Sequence, residues 1–145
     1  MNTTVAVVDD HEQMREHTSS FIEEMGFQLL FKAENGKEAL EIMAKNNSVP
    51  DVCLLDIQMP VMDGYETAEI MSIQYPKTKI LAYSTDDSET PVINMIKSGA
   101  CGFLLKGGTF GEMKKAIDDV SNSGYYFSNR VVKILFSYFR DKKHK

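Results

Sequence analysis

Two adjacent carboxylates, Asp9 and Asp10, stand directly after the apolar run Val5–Val8, and a third, Asp56, directly after Val52–Leu55. Two further runs also end on reactive groups: Lys79–Tyr83 on Ser84 and Thr85, and Gly102–Leu105 on Lys106. One acid after one strand would mean little. Four runs delivering three carboxylates, hydroxyls and an ammonium form a set with a chemistry of its own. Carboxylates crowded together repel, and at neutral pH they need a proton or a cation to offset them. Oxygen donors without His or Cys partners suit a hard ion, Mg²⁺ above all, which keeps several waters and takes one or two carboxylates beside phosphate oxygens. A carboxylate in that setting can be a nucleophile that forms an aspartyl phosphate. Mg²⁺ and Lys106 would then neutralise the phosphoryl oxygens in transit.

That chemistry requires the run ends to meet, and the intervening segments say how. Four runs are near-continuous in Val, Ile, Leu, Phe and Ala and too short for helices, as strands buried on both faces are. Gln28–Ala33 is more mixed and suits a strand nearer the edge. Between them lie segments with helical spacing. Glu12–Met25 carries Met14, Phe21, Ile22 and Met25 and stops at Gly26; Lys37–Lys45 stops at Asn46-Asn47. Tyr65–Tyr75 stops at Pro76, Thr90–Ser98 has Pro91 suited to the first helical position, and Phe110–Val120 has Thr109 as N-cap. Strand and helix alternating five times predict an α/β fold, a parallel sheet covered on both faces by right-handed crossovers. In such a sheet the ligand crevice lies beyond the carboxyl ends of the strands. A sixth helical stretch, Asn129–Arg140, is apolar around most of its circumference and must pack on something.

The 145 residues suffice for one ordinary domain with a short appendage. With 21 acidic and 16 basic residues, the net charge of −5 disfavours a grip on nucleic acid. Only the end, Arg140–Lys145, is locally basic, which reads as a solvated tail or linker start. Cys53 and Cys101 read as buried thiols in a reducing compartment. Met1 leads into Val5–Val8 without a basic leader, and no apolar stretch approaches a membrane span, so a soluble, cytoplasmic protein is expected. His11 has no second histidine at a ligand spacing and reads as an exposed residue at a helix start. Asp63, before Gly64, reads as a turn or cap. Tyr125-Tyr126-Phe127 reads as packing, and the nine methionines as core filler.

Asp9-Asp10 after the first strand, Asp56-Ile57-Gln58-Met59-Pro60 with Met62-Asp63-Gly64 after the third, Ser84 after the fourth and Lys106 after the fifth resemble the receiver domains of two-component response regulators. The resemblance runs from about Thr4 to Val120. Asp9-Asp10-His11 and Ser98–Lys106 look most like the LuxR-type subfamily, in which a helix-turn-helix DNA-binding domain usually follows the receiver. The resemblance implies a flavodoxin-like, doubly wound five-stranded sheet of order 2-1-3-4-5 with five helices and a C-terminal linker helix. It implies a receiver over residues 1–124 and a helix or linker segment over 125–145. Asp56 would accept the phosphoryl group from a sensor histidine kinase. Asp9, Asp10, Asp56 and the backbone carbonyl of Gln58 would hold Mg²⁺. Ser84 would turn inward to a phosphoryl oxygen, Lys106 would pair with another, and Phe103 would report the position of Ser84. Gln58 and Asp86 fall where the family tunes phosphoryl lifetime. A phosphorylation-dependent homodimer is a family expectation, and DNA would be reached only through an output domain outside this chain.

Two positions depart from the common pattern: Gly107-Gly108 stands where many receivers have a cis proline after the lysine, and Phe103 where many have tyrosine. Two rival functions share parts of this pattern. A haloacid-dehalogenase-type phosphatase wants a second acid two residues after its nucleophile, where Gln58 stands, and usually a cap domain. A flavodoxin-like carrier needs a phosphate loop after the first strand, where Asp9-Asp10-His11-Glu12 would repel one. Within the receiver reading, a stand-alone regulator working by protein contact is the alternative to a longer transcription factor.

Overall fold

The computed structural model describes residues 2–143. Met1, His144 and Lys145 lie outside the described residues, so the leaderless start and the far end of the basic tail are not tested by it. The chain alternates β1 (Thr4–Val8), α1 (Glu12–Glu24), β2 (Gln28–Ala33), α2 (Gly36–Asn46), β3 (Val52–Leu55) and α3 (Gly64–Gln74). It continues through β4 (Lys79–Ser84), α4 (Glu89–Ser98), β5 (Gly102–Leu105), α5 (Phe110–Ser123) and α6 (Asn129–Lys143). The strands form one parallel sheet in the order β2-β1-β3-β4-β5.

The near-continuous apolar runs serve two faces at once, because successive side chains in a strand point to opposite sides. Val5, Val7, Val52, Leu54, Leu81, Tyr83 and Leu104 pack with Ile22 of α1 and Met113, Ala116, Ile117 and Val120 of α5. Val8, Cys53, Leu55, Ile80, Ala82 and Phe103 pack on the other face with Ala39 and Met43, Ala68 and Met71, and Val92 and Met95 of α2, α3 and α4. The mixed strand β2 lies at an edge, as its composition predicts.

Helix boundaries move where local chemistry differs from the simplest reading. Helix α4 begins at Glu89 with Ser88 as N-cap, so Pro91 is its third residue and not its first. The first turn tolerates it because those N–H groups have no intrahelical acceptor. Helix α5 runs on to Ser123 and stops at Gly124, whose φ of 94° suits the left-handed end residue. On α1 the inner stripe includes Thr18 and Ser19, both buried, while Met14 looks into the cleft above the sheet.

After α5 the chain returns along β5. The Tyr126 N–H donates to the Cys101 carbonyl at 3.1 Å, and the Tyr126 carbonyl accepts from the Phe103 N–H at 3.2 Å. This single parallel bridge covers the sheet edge. Helix α6 then packs against α4 and puts Val131, 1% exposed, into the core cluster that holds Phe103. Arg130 Nε pairs with Asp87 Oδ1 at 3.1 Å, and Lys97 lies 5.2 Å from the centre of the Tyr138 ring. The outer stripe Val132, Phe136 and Phe139 remains exposed. The apolar circumference of this stretch therefore divides: one side belongs to the domain core and the other faces outward.

Candidate functional site

The sheet order reverses direction between β1 and β3, and there a doubly wound fold opens its crevice. Val8 pairs with Leu55, and the Asp56 N–H donates to the Val8 carbonyl at 2.9 Å, so Asp9 and Asp56 leave the sheet side by side. On the far side Ser84 pairs with Leu105, and the Lys106 N–H donates to the Ser84 carbonyl at 2.7 Å. All four run ends therefore meet at one rim. A cleft of about 500 Å³ lies over them, lined by Asp10, Asp56, Gln58, Ser84, Asp86 and Lys106 among others.

Asp9 is nearly fully buried and both its oxygens are engaged. Oδ1 accepts the His11 N–H at 2.9 Å, and Oδ2 accepts from Lys106 Nζ at 2.9 Å. Arg15 donates to the Asp9 carbonyl at 2.8 Å and braces the end of β1. Lys106 Nζ also lies 3.4 Å from Asp56 Oδ1, which accepts the Ile57 N–H at 2.9 Å. Burial, and then the charge of Asp9, raise the Asp56 carboxyl to about 6 against the opposing pull of Lys106 and the Ile57 N–H. Burial weakens the Lys106 charge, but its bond to Asp9 and the charge of Asp56 outweigh that and hold the ammonium above its ordinary value. Asp56 is thus ionised at neutral pH, yet more basic than an ordinary aspartate.

Asp10 differs from its neighbours. Its Oδ1 is enclosed and accepts no hydrogen bond, although His11 Nδ1 stands 3.2 Å away. One ligand atom each from Asp9, Asp10, His11 and Asp56 can be chosen so that all lie within 4.8 Å of one another. An enclosed carboxylate oxygen without a donor, among two further carboxylates, fits a hard divalent cation.

The Ser84 hydroxyl oxygen accepts the Asp86 N–H at 3.1 Å, and Asp86 Oδ1 in turn accepts the Ser88 N–H at 2.9 Å. The Ser88 hydroxyl, and then this N–H, keep the Asp86 carboxyl below the usual range. The hydroxyl proton of Ser84 is free to point into the cleft. Phe103 is 2% exposed, on the sheet face covered by α4 and Val131. Among the described residues no peptide bond is cis: Lys106–Gly107 is trans, and the loop turns through Gly107 at φ 87°.

Asp63 is the N-cap of α3, accepting the Glu66 N–H at 2.9 Å, as its place before Gly64 implies. Thr85, read from the sequence beside Ser84 at the end of its run, lines the cleft. Other residues of the site carried no sequence signal read as functional: Tyr65, Met14 and Pro91 also line the cleft. The Tyr83 ring lies under Lys106, 5.4 Å from Nζ. Gly64 packs α3 against the nucleophile: an added Cβ would fall on the Asp56 carbonyl oxygen and 2.8 Å from Ile57 Cα. The Asp-Gly dipeptide could have flagged it as a place of close backbone approach.

The response regulator receiver domain pattern matches residues 5–118. The chain belongs to that family. The receiver is 33% identical to the transcriptional regulatory protein DegU of Brevibacillus brevis, over 94% of this chain and 57% of DegU. It is 30% identical to the response regulator GacA of Pseudomonas syringae, over 90% of this chain and 61% of GacA. The signal receiver domain of NarL from Mycobacterium tuberculosis superposes with a TM-score of 0.76 at 35% identity, over 83% of this chain and 96% of that one. These relatives mark the receiver as LuxR-type. The chain spans about three-fifths of the length of DegU and GacA. Among the described residues no helix is long and apolar enough to cross a membrane.

Proposed function

We propose that this receiver takes a phosphoryl group from a histidine kinase onto Asp56 and passes the change through Ser84 and Phe103 to a DNA-binding output domain. The observation that carries the reading is the placement of Asp56. It is buried among Asp9, Asp10 and Lys106 with its carboxyl raised to about 6, so it is a charged nucleophile of more than ordinary basicity at neutral pH.

An Asp56 oxygen attacks phosphorus, and the bond from phosphorus to the kinase imidazole nitrogen breaks. Lys106, within reach of both Asp9 and Asp56, turns to a phosphoryl oxygen as charge moves there. Asp9, Asp10 and Asp56, with the Gln58 carbonyl, would hold Mg²⁺, which when bound offsets negative charge on the phosphoryl oxygens. Ser84 donates its hydroxyl proton to another oxygen. Gln58 and Asp86, both lining the cleft, control the water that later removes the group. No separate substrate is turned over; the domain promotes its own phosphorylation and dephosphorylation.

A change at Ser84 has two short paths to α6. One runs through Phe103, which shares a packed cluster with Val131. The other runs along the loop to Asp87 and its partner Arg130. We assign residues 1–124 to the receiver and 125–145 to the linker, with the exposed stripe of α6 directed at the output domain or a sister receiver in a phosphorylation-dependent dimer. A cytoplasmic location goes with this role.

Beryllofluoride, a phosphoryl mimic, provides the test. Its addition with Mg²⁺ should shift the amide resonances of Ser84, Phe103 and Lys106 in the wild type and leave Asp56→Ala unchanged. Equal shifts in both proteins would refute the assignment.

A further inference from the structure

We propose that His11 supplies a nitrogen ligand to the cation site, so that the cleft prefers Mn²⁺ to Mg²⁺. The proposal rests on the reading that the acidic cleft holds a divalent cation, and adds a selectivity that three carboxylates alone would not give.

The geometry is the first support. His11 Nδ1 lies 3.2 Å from Asp10 Oδ1 and 3.5 Å from Asp9 Oδ1, and its ring nitrogen belongs to the four-residue group whose ligand atoms fall within 4.8 Å. Asp10 Oδ1 nevertheless accepts no hydrogen bond, so the imidazole is near that oxygen without satisfying it. A nitrogen and an enclosed oxygen that approach without bonding are placed as co-ligands would be.

The second support is the mounting of the residue. The His11 N–H is held by Asp9 Oδ1 at 2.9 Å, and its carbonyl accepts the Arg15 N–H at 2.8 Å, so the backbone is fixed at the rim. The side chain is 74% exposed and can rotate without disturbing the core. His11 is also the N-cap of α1, where Ser, Thr, Asp or Asn is preferred, and it gives the helix no side-chain cap. Asn35, Asp63 and Thr109 cap α2, α3 and α5 with their side chains, and Ser88, at the N-cap of α4, is of a preferred type although its side chain makes no such bond. Position 11 thus departs from the preferred residue types that stand at the N-caps of α2, α3, α4 and α5, and such a departure is where a functional demand is to be sought.

The third support is ligand chemistry. Mg²⁺ takes oxygen donors almost alone, whereas imidazole nitrogen is a good donor to first-row transition ions. Mn²⁺ accepts carboxylate, carbonyl and water as readily as Mg²⁺ does, so a site of three aspartates, the Gln58 carbonyl and one imidazole separates the two ions through the imidazole.

Pulsed electron paramagnetic resonance on the full chain loaded with Mn²⁺ tests this directly. The wild type should show coupling of the ion to a nitrogen-14 nucleus, lost in His11→Ala and retained in His17→Ala. Competitive titration should show the Mn²⁺ preference falling about ten-fold in His11→Ala, with Mg²⁺ affinity little changed. Mn²⁺ bound without nitrogen coupling in the wild type, or an unchanged preference in His11→Ala, overturns the proposal and leaves the cation site standing. Failure of both ions to bind removes the cation reading and this proposal with it.

Discussion

Replacing Asp56 by asparagine should stabilise the metal-free domain at neutral pH, by an amount that depends on pH in a defined way. The carboxyl is raised from 3.8 to about 6 by burial and by Asp9. The folded protein therefore holds this proton more tightly than the unfolded chain. Below pH 3.8 both states carry the proton and the group costs nothing. As pH rises towards 6 the unfolded chain ionises first, and folding must then bury a charge. Above 6 both states are ionised and the full cost is present. A shift of about two units corresponds to roughly 3 kcal/mol at 1.36 kcal/mol per unit, and residual hydration lowers it, so a gain between about 1 and 3 kcal/mol is expected. Asparagine keeps an oxygen to accept the Ile57 N–H, so that bond is not lost. Urea denaturation of both proteins with a chelator, at pH 4 and pH 7, gives the comparison. The difference should be near zero at pH 4 and full at pH 7, and Mg²⁺ should narrow it by stabilising the wild type. An equal difference at both pH values, or a less stable variant at pH 7, would refute the reasoning.

Other outcomes follow from the same geometry. Lys106→Ala removes the ammonium between Asp9 and Asp56, and phosphorylation by acetyl phosphate, followed by intact mass, should slow by about a hundred-fold. Gly64→Ala drives a methyl group into the Asp56 carbonyl and should cost about 2–4 kcal/mol in urea denaturation. Val131→Asp puts a charge where α6 meets the core; hydrogen exchange should then speed along α6 while β1 and β3 keep their protection. The Cys53 thiol, pushed up to about 12 by burial, should stay unmodified by a disulfide reagent at pH 8 until the protein unfolds.

Much of this arrangement was legible in the sequence because the chemistry sits at strand ends. A run such as Val52–Leu55 announces both a doubly buried strand and, by its end, where the next residue must emerge. Asp56 and Lys106 could be placed at one rim before any distance was known. What periodicity could not reveal depends on contacts between elements. Tyr126 bonds to both sides of Gly102, yet reads only as an aromatic in a loop. Val131 reads as one apolar residue among many in α6, and only the contact with α4 makes it core. Tyr65 reads as the start of a helix and proves to stand at the mouth of the cleft. Pro91 stands at the third helical position and not the first because Ser88, and not Thr90, takes the cap. His11 reads as a bland surface residue, since spacing along the chain does not show that its ring lies beside Asp10.

Intact mass after incubation with acetyl phosphate tests the central claim most directly, on wild type and Asp56→Asn, with Mg²⁺ and with chelator. The wild type should gain one phosphoryl group only when Mg²⁺ is present, and Asp56→Asn should gain none. A gain in the variant, or none in a folded wild type with Mg²⁺, would contradict the assignment of Asp56 as phosphoacceptor.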